Sequence, residues 1–281
     1  MLIDTHAHVN FNAFKDDSDE VIRRALQSDV WLVNVGSQYT TSERAVEIAE
    51  RYSRGVYAAI GLHPIHLETK LVKIKVDKEE IEFETREEDF DYEKYKKLAQ
   101  TSSKVVALGE IGLDYYRRPK TKTKQAEFKE KQKQTFIKQL ELAQELNLPV
   151  ILHCRMAHDD LITTLQHYNN TTIRGVSHCF TGTLEEAKEY IKLGFYIGFN
   201  GLIFKKVEGL PNVEEIIREI PLEKILVETD CPYLSPPPYE NQRCKPLYVK
   251  YVAEKIAKIK NLSCEEAAKI TTRNARELFG I

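Results

Sequence analysis

The sequence predicts an α/β fold, a (β/α)8 barrel of the TIM type. Eight short apolar runs alternate with helical segments along the 281-residue chain, and this alternation is typical of a parallel sheet. Eight such units are the number that closes a barrel. Histidines and carboxylates recur where the runs end, which is where barrels of this type place their sites. An open, doubly wound sheet is the alternative architecture.

The strands are expected where β-branched or apolar runs stop at a glycine, a proline or a polar residue. In order, these runs are residues 2–8, 30–35, 56–63, 105–110, 150–153, 173–178, 195–199 and 225–230. The helices are expected where apolar residues recur at helical spacing. They are residues 16–26, 41–52, a helix starting near Tyr92, 125–146, 159–168, 184–193, 213–220, 245–260 and 264–278.

One segment interrupts the alternation. Residues 71–85 alternate apolar and charged side chains on both sides of residues 77–80. Folding the segment at that centre places Lys75 opposite Glu82, which is a favourable cross-strand pair. We therefore expect an inserted β-hairpin between the third strand and its helix. A solvated charged loop is the alternative.

Composition is that of an ordinary globular chain, expected to form a single domain over residues 1–281. The formal net charge is −2, so the chain has no global basic field, and any nucleic-acid contact must be local to a site. No signal peptide or membrane span is visible. The five cysteines are odd in number and lack C-x-x-C spacing, which favours reduced thiols in a cytoplasmic protein. No obligate protein partner is evident.

The first strand carries the first indication of a metal site. Asp4, His6 and His8 alternate along it and would share a face. Two neutral imidazoles spaced in this way can reach one metal ion, and a nearby carboxylate can orient them. A chance His-x-His among eight histidines is the alternative.

Further metal-capable residues strengthen that interpretation because they also end predicted strands. The full set is His6, His8, His63, Glu110, His153, His178 and Asp230. The carboxyl ends of barrel strands meet at one mouth. Buried charges there are costly unless they are paired or bind metal. The sequence therefore predicts a metal site at this mouth.

Four other residues are expected to support that site. Strand parity places Asp4 and Glu228 beside ligand candidates, where they could orient them. Asp114 and Arg155 are expected just past strand ends, where a substrate would lie. A loop salt bridge or a helix cap is the alternative role for each of the four.

The chain resembles the TatD-type metal-dependent hydrolases in a series of ordered motifs that begins near Met1. The motifs are Asp4-Thr-His-Ala-His8, Gly61-Leu-His-Pro64, Gly109-Glu-Ile-Gly-Leu-Asp-Tyr-Tyr116, His153-Cys-Arg155, Ser177-His-Cys-Phe-Thr-Gly182, Glu228-Thr-Asp-Cys-Pro-Tyr-Leu234 and Thr271-Thr-Arg-Asn-Ala-Arg-Glu-Leu-Phe279. The resemblance implies a distorted, amidohydrolase-like barrel that binds one to three divalent ions. We expect two per chain.

The resemblance also implies which residues hold the ions. One ion would be held by His6, His8 and Asp230, a second by His153 and His178, and Glu110 would bridge the two. Zn, Mn, Mg, Fe and Ni all remain open, because mixed histidine and carboxylate ligands suit several metals.

The implied activity is hydrolysis of phosphodiester bonds in DNA, typically from a chain end. Two alternatives remain: the same site could deacylate D-aminoacyl-tRNA or cleave another ester or amide, or the chain could bind metal without catalysis. The complete ligand set, with a possible base, weakens the second alternative.

Two cations about 3.5–4 Å apart can bind both the attacking and the departing oxygen of a phosphodiester. In this chain Glu110 would fix that spacing, Asp230 would take the proton from the water, and His63 would contact the phosphate oxygens. The other expected substrate contacts are Asp114, Arg155 and Arg243. Arg243 begins an Arg-Cys-Lys-Pro motif where the family usually has Arg-Asn-Glu-Pro. No cysteine–histidine nucleophile pair is evident, since the alternation of side chains along the strands would turn Cys154 and Cys179 away from the site.

Overall fold

The computed structural model describes residues 1–68, 71–76, 79–167 and 173–281. The strands are β1 (Leu2–Ala7), β2 (Val30–Val35), β3 (Val56–Ile60), β4 (Leu71–Val76), β5 (Glu79–Glu84), β6 (Val105–Asp114), β7 (Val150–Arg155), β8 (Gly175–Ser177), β9 (Tyr196–Phe199) and β10 (Ile225–Val227). Eight of them form one sheet in the order β1-β2-β3-β6-β7-β8-β9-β10, and every neighbouring pair is parallel. A parallel bridge between Ala7 and Cys231 brings the first and last strands together. The predicted barrel fold is therefore confirmed, as a nearly closed barrel.

Helices follow the strands around the barrel. They are α1 (Ser18–Gln27), α2 (Tyr39–Glu50), α3 (Tyr92–Gln100), α4 (Lys122–Glu145), α5 (His158–His167), α6 (Leu184–Lys192), α7 (Val213–Glu219), α8 (Val249–Lys260) and α9 (Cys264–Phe279). Each lies within a few residues of its predicted position. The predicted end of the fifth helix at Tyr168 lies outside the described residues.

Strand ends differ from the predictions in ways that affect the site. β6 continues four residues beyond its predicted end, because its register against β7 shifts between Leu108 and Ile111. Asp114 and Arg155 are consequently the last residues of their strands, not loop residues beyond them. β8 and β10 are shorter than predicted, so their ligand candidates lie in the following loops.

The inserted hairpin is confirmed, since β4 and β5 pair antiparallel. Its predicted register is wrong by two residues, because Lys75 pairs with Glu80 instead of Glu82. The prediction placed residues 77–80 in the turn, whereas residues 79 and 80 belong to β5. Residues 77 and 78 lie outside the described residues.

The apolar core has two parts. The larger part packs the helices against the outside of the barrel. The smaller part includes Ile3, Val33, Ile151 and Leu226 from the strands, together with Phe279 from α9. Because alternate strand residues point to opposite faces, this smaller set fills the barrel interior. One end of the interior is therefore packed with apolar side chains, and polar groups are confined to the mouth.

All five cysteines are free thiols, and Cys264 is the exposed one. No helix within the described ranges combines the length and the apolarity that a bilayer-crossing segment needs.

A buried amide joins α9 to the chain before β10. The side-chain Nδ2 of Asn274 donates to the carbonyl oxygens of Leu222 and Ile225, both at 2.9 Å. The bonds connect segments about fifty residues apart in sequence. They satisfy two carbonyl groups that would otherwise lose a partner away from water.

We predict that Asn274→Ala lowers the free energy of unfolding by about 2–3 kcal/mol, because two carbonyl groups lose their buried donor. Denaturant unfolding measures this as a lower midpoint at an unchanged slope. Asn241→Ala is the matched control, since Asn241 is exposed. A loss of less than about 0.5 kcal/mol for Asn274→Ala would contradict this account of how α9 is anchored.

Candidate metal centre

Glu110 lies at the centre of the polar cluster in the barrel mouth. It belongs to the irregular part of β6, and its backbone N–H donates to the carbonyl of Gly36 at 2.9 Å. The residue is only 5% exposed. Its two carboxylate oxygens face two different groups of histidines, so one side chain contacts both halves of the cluster.

The first group surrounds Oε2 of Glu110. This oxygen is 3.5 Å from Nε2 of His6 and 3.9 Å from Nε2 of His8. The two Nε2 atoms are 3.1 Å apart, and Nε2 of His8 is 3.4 Å from Oδ1 of Asp230. His6 on β1, His8 just after that strand and Asp230 in the loop after β10 thus converge from the two ends of the sheet.

The second group surrounds Oε1 of Glu110. His153 places its Nδ1 at 2.8 Å from this oxygen, His63 places its Nε2 at 3.4 Å, and His178 places its Nε2 at 3.8 Å. The ring of His178 also stacks on that of His6, with the centroids 3.5 Å apart. The two groups are therefore in direct contact across Glu110.

These donor atoms suit a divalent cation. Metal–nitrogen bonds of about 2.0–2.1 Å place neighbouring ligands about 3–3.5 Å apart. The His6–His8 and His8–Asp230 separations, 3.1 and 3.4 Å, fall in that range. Imidazole and carboxylate together suit Zn²⁺ and other divalent transition metals. Three sets of the described residues have ligand atoms close enough to share an ion: His6, His8 and Glu110; His6, His178 and Asp230; and His63, Glu110 and His153.

The partners of the far ring nitrogens indicate which nitrogen of His8 and of His178 faces the cluster. Nδ1 of His8 is 2.8 Å from the carbonyl oxygen of Val35, and Nδ1 of His178 is 2.8 Å from Oε1 of Glu228. The neutral His8 ring donates from Nδ1 to that carbonyl, which leaves its Nε2 as a lone-pair donor, as in most metal-binding histidines. The contact of His178 Nδ1 with Glu228 is an ion pair, and once the ring loses a proton on metal binding it directs Nε2 toward the cluster.

His63 has the opposite arrangement. Its Nδ1 accepts the backbone N–H of Ile65 at 2.9 Å, so the neutral ring carries its proton on Nε2, which points toward Glu110. In this tautomer His63 is a hydrogen-bond donor at the mouth and not a metal ligand. This orientation agrees with its predicted contact to a substrate oxygen.

The charges in the centre are strongly coupled. Burial alone would raise the pKa of Glu110, but His63, His153 and His6 hold it well below its usual value, so the group is a carboxylate at neutral pH. Burial would lower the pKa of His178, yet the Glu228 carboxylate raises it to about 10. In the same way, Asp114 and Glu110 outweigh burial and raise the pKa of His153 to about 9.

Asp230 is held by backbone bonds as well as by its side chain. Its N–H donates to the carbonyl of His6 at 2.9 Å, and its backbone has a left-handed φ of 58°. This conformation is costly for a residue with a side chain and is found most often at functional sites. Burial would raise the pKa of Asp230, but His8 and His178 lower it, so the side chain is ionised.

Asp4 supports the centre indirectly. Its carboxylate accepts the backbone N–H of Thr229 at 2.9 Å and the Thr229 hydroxyl at 2.6 Å, and also the backbone N–H of His6 at 3.3 Å. These bonds tie β1 to the loop that carries Asp230. None of these hydrogen bonds joins Asp4 to an imidazole, although the prediction expected one. Asp4 instead positions the backbone of His6 and of Thr229.

Asp114 and Arg155 lie next to His153. Oδ2 of Asp114 is 3.2 Å from Nε2 of His153. The guanidinium of Arg155 stacks on the ring of Tyr116, at 3.7 Å from its centroid, and Tyr116 is 53% exposed. A cation and an aromatic ring are therefore both open to solvent at this side of the mouth.

Arg243 is placed differently from the other expected substrate contacts. Its guanidinium pairs with the carboxylate of Asp17, donates to the carbonyl of Ala13 and lies over the ring of Phe14. The structure therefore brings Arg243 to the start of α1 and does not join it to the histidine cluster.

Sequence reasoning missed Asn200 and applied strand parity to Cys179, where it does not hold. The prediction turned Cys179 away by strand parity, but β8 ends at Ser177 and Cys179 has a left-handed φ of 45°, so parity no longer applies. Its backbone N–H and the Nδ2 of Asn200 both donate to Oε1 of Glu228, at 2.8 and 3.2 Å. Asn200 directly follows β9. A search for amide side chains as well as histidines and carboxylates at strand ends would have found it. Cys154 lies in the outer apolar core.

Comparisons with known proteins agree with this geometry. The chain matches the family described as TatD related DNase over residues 3–280. It is 41% identical over 284 residues to the uncharacterized metal-dependent hydrolase YabD of Bacillus subtilis, and the match covers 100% of both chains. It is 32% identical to the 3'-5' ssDNA/RNA exonuclease TatD of Escherichia coli K12, over 100% of this chain and 99% of the relative.

Among solved structures, the crystal structure of YJJV, a TatD homologue from Escherichia coli K12, superimposes with a TM-score of 0.83 at 29% identity. It covers 100% of this chain and 98% of the other. Sequence and structure comparisons thus agree over the whole length, and the chain belongs to the TatD family of metal-dependent hydrolases.

Proposed function

We propose that the protein hydrolyses phosphodiester bonds of DNA, acting from a chain end with two divalent cations per chain. The observation that carries this proposal is the position of Glu110, whose two oxygens face separate histidine groups. A bridging carboxylate of this kind is the usual means of holding two cations at the short spacing that phosphodiester chemistry needs.

The donor atoms divide between the two ions as follows. His6, His8 and Asp230 would hold one cation, and His153 and His178 would hold the second. Bound there, the cations would act as Lewis acids toward the phosphate oxygens and would lower the pKa of the attacking water. This division agrees with the ring orientations of His8 and His178, whose Nδ1 atoms lie against Val35 and Glu228 and whose Nε2 atoms face the cluster.

The chain itself would supply proton transfer and phosphate binding. Asp230 is ionised and can accept the proton of the water. The Nε2–H of His63 and the guanidinium of Arg155 can donate to phosphate oxygens as negative charge develops on them. Asp114 would hold the second nitrogen of His153, and so fix the ring of a ligand.

The relatives support DNA or RNA as the substrate class, since several of them are named 3'-5' ssDNA/RNA exonucleases. The net charge of −2 agrees with a substrate that is held inside the mouth and not over a broad basic surface.

Glu110→Ala should lower the metal content of the purified protein by at least about half, because both proposed ions lose a shared ligand. Elemental analysis of protein purified without chelator gives the number of divalent ions per chain. Glu127→Ala, an exposed change on α4, should leave that number unchanged. Unchanged metal content in Glu110→Ala would mean that Glu110 is not a ligand.

Asp230→Asn should retain the fold yet reduce hydrolysis of single-stranded DNA by about 10²–10⁴-fold, because the amide matches the carboxylate in size but cannot accept the proton. The assay is nucleotide release with Mg²⁺ or Mn²⁺, with and without chelator, beside circular dichroism. Asp159→Asn, an exposed change at the start of α5, is the control. DNA hydrolysis that survives both the chelator and the substitution would refute the mechanism, and activity on aminoacyl-tRNA alone would favour a deacylase.

Metal binding should release protons. At pH 7.5 His153 and His178 are protonated in the metal-free chain, because their pKa values are raised to about 9 and about 10. Ligation requires the neutral ring, so Zn²⁺ should displace about two protons per chain. As the pH rises through these pKa values, the number of protons released should fall and the affinity for Zn²⁺ should rise.

Calorimetry in buffers of different ionisation enthalpy counts the protons released. His178→Gln should reduce the count by about one, whereas His167→Gln, an exposed change at the end of α5, should not alter it. Zinc binding without proton release at pH 7.5 would show that these two histidines are not ligands.

A further inference from the structure

A large cavity lies beside the metal centre at the ends of β8 and β9. Its volume is about 650 Å³, within the range of small-molecule sites. Four buried apolar side chains line it: Phe180, Phe199, Ile203 and Ile216. The cavity wall therefore combines these apolar side chains with polar ones, among them Asn200, Glu214 and Lys255.

The rim of the cavity is both apolar and basic. Val207 is 44% exposed and Leu210 is 41% exposed, and both line the cavity together with Lys205 and Lys206. Of the six large hydrophobic side chains exposed in the described ranges, four lie on loops at the barrel mouth. Apolar side chains gathered around a site indicate a binding surface.

The cavity shares a wall with the metal centre. Cys179 and Asn200 line the cavity and both donate to Oε1 of Glu228. The same oxygen lies 2.8 Å from Nδ1 of His178. Only Glu228 would thus lie between the wall of the cavity and His178, a proposed metal ligand.

We propose that this cavity is a nucleobase-binding subsite, which receives the base of the nucleotide whose phosphate lies at the metal centre. The proposal rests on the phosphodiesterase function proposed above. A base is planar and stacks on aromatic side chains, whereas its sugar-phosphate is polar and anionic. The partly accessible ring of Phe204 and the lysines of the rim match these two parts.

The subsite has a consequence for the substrate. A base inserted into this cavity cannot also be paired and stacked in a duplex, and extruding one costs a few kcal/mol. The cavity would therefore select unpaired nucleotides, either in single strands or at frayed ends.

The test uses Phe204→Ala, because Phe204 lines the cavity and is half-buried. Phe90→Ala is the matched control, a half-buried phenylalanine in the chain before α3. The probes are thymidine 5′-monophosphate and 2-deoxyribose 5-phosphate, which lacks the base, titrated calorimetrically into the metal-loaded protein.

Phe204→Ala should weaken binding of the nucleotide by at least about fivefold, as expected for the loss of one base–aromatic contact. Binding of the base-free phosphate should change by less than twofold, and Phe90→Ala should alter neither. Leu210→Asn is the second variant, and since Leu210 is exposed the variant should fold. It should weaken binding of the nucleotide and not of the base-free phosphate, because it removes apolar surface without adding charge.

Hydrolysis of a short oligothymidylate separates this proposal from the proposed function. Suppose that the wild-type protein cleaves this oligomer, and that neither variant raises its KM more than it raises the KM of an oligomer with an abasic end. The subsite is then overturned and the proposed function stands. If the protein binds thymidine 5′-monophosphate through its base but cleaves no phosphodiester, the function fails and the subsite stands. The subsite is also overturned if the variants lose affinity equally for the nucleotide and the base-free phosphate. It is overturned as well if they weaken the binding of an aminoacyl ester alone.

Discussion

The mouth of the barrel depends on one buried carboxylate, Glu110. An isolated anion at this depth would be strongly destabilising, and the chain offsets that cost by placing histidines against each oxygen. Oε2 faces His6 and His8, and Oε1 faces His63 and His153. The same constraint explains why the pKa of Glu110 stays low despite burial. The cluster is thus charged even before any metal is considered, and its histidines are drawn to one point.

Closure of the barrel brings the two ends of the cluster together. Asp4 on β1 binds the backbone and hydroxyl of Thr229, and the next residue, Asp230, donates its N–H to His6. Ligand candidates more than two hundred residues apart therefore depend on the pairing of the first and last strands. Packing of α9 against the opposite end of the interior supports that pairing. Fold and site are consequently coupled, and damage to the closure should disturb the cluster.

The alternation of strands and helices, and the placing of histidines at strand ends, could be predicted from the sequence because both follow from local periodicity and parallel topology. The ends of the strands could not be predicted in this way. The register shift in β6 depends on its pairing with β7, and it carries Asp114 to the end of the strand. Strand parity could not orient Cys179, because β8 ends at Ser177 and Cys179 has a left-handed backbone. The hairpin register also failed, since two turn lengths preserve the same alternation. Side-chain pairing, as between Arg243 and Asp17, leaves no local pattern.

The most direct test of a bridged pair is electron paramagnetic resonance of the protein loaded with Mn²⁺. Two manganese ions held by the two oxygens of Glu110 would lie about 3.5–4 Å apart and would be magnetically coupled. The account predicts the many-line spectrum of a coupled pair at two ions per chain, and its collapse in Glu110→Ala. A six-line spectrum of isolated Mn²⁺ at full loading would contradict the bridge on which this description of the site depends.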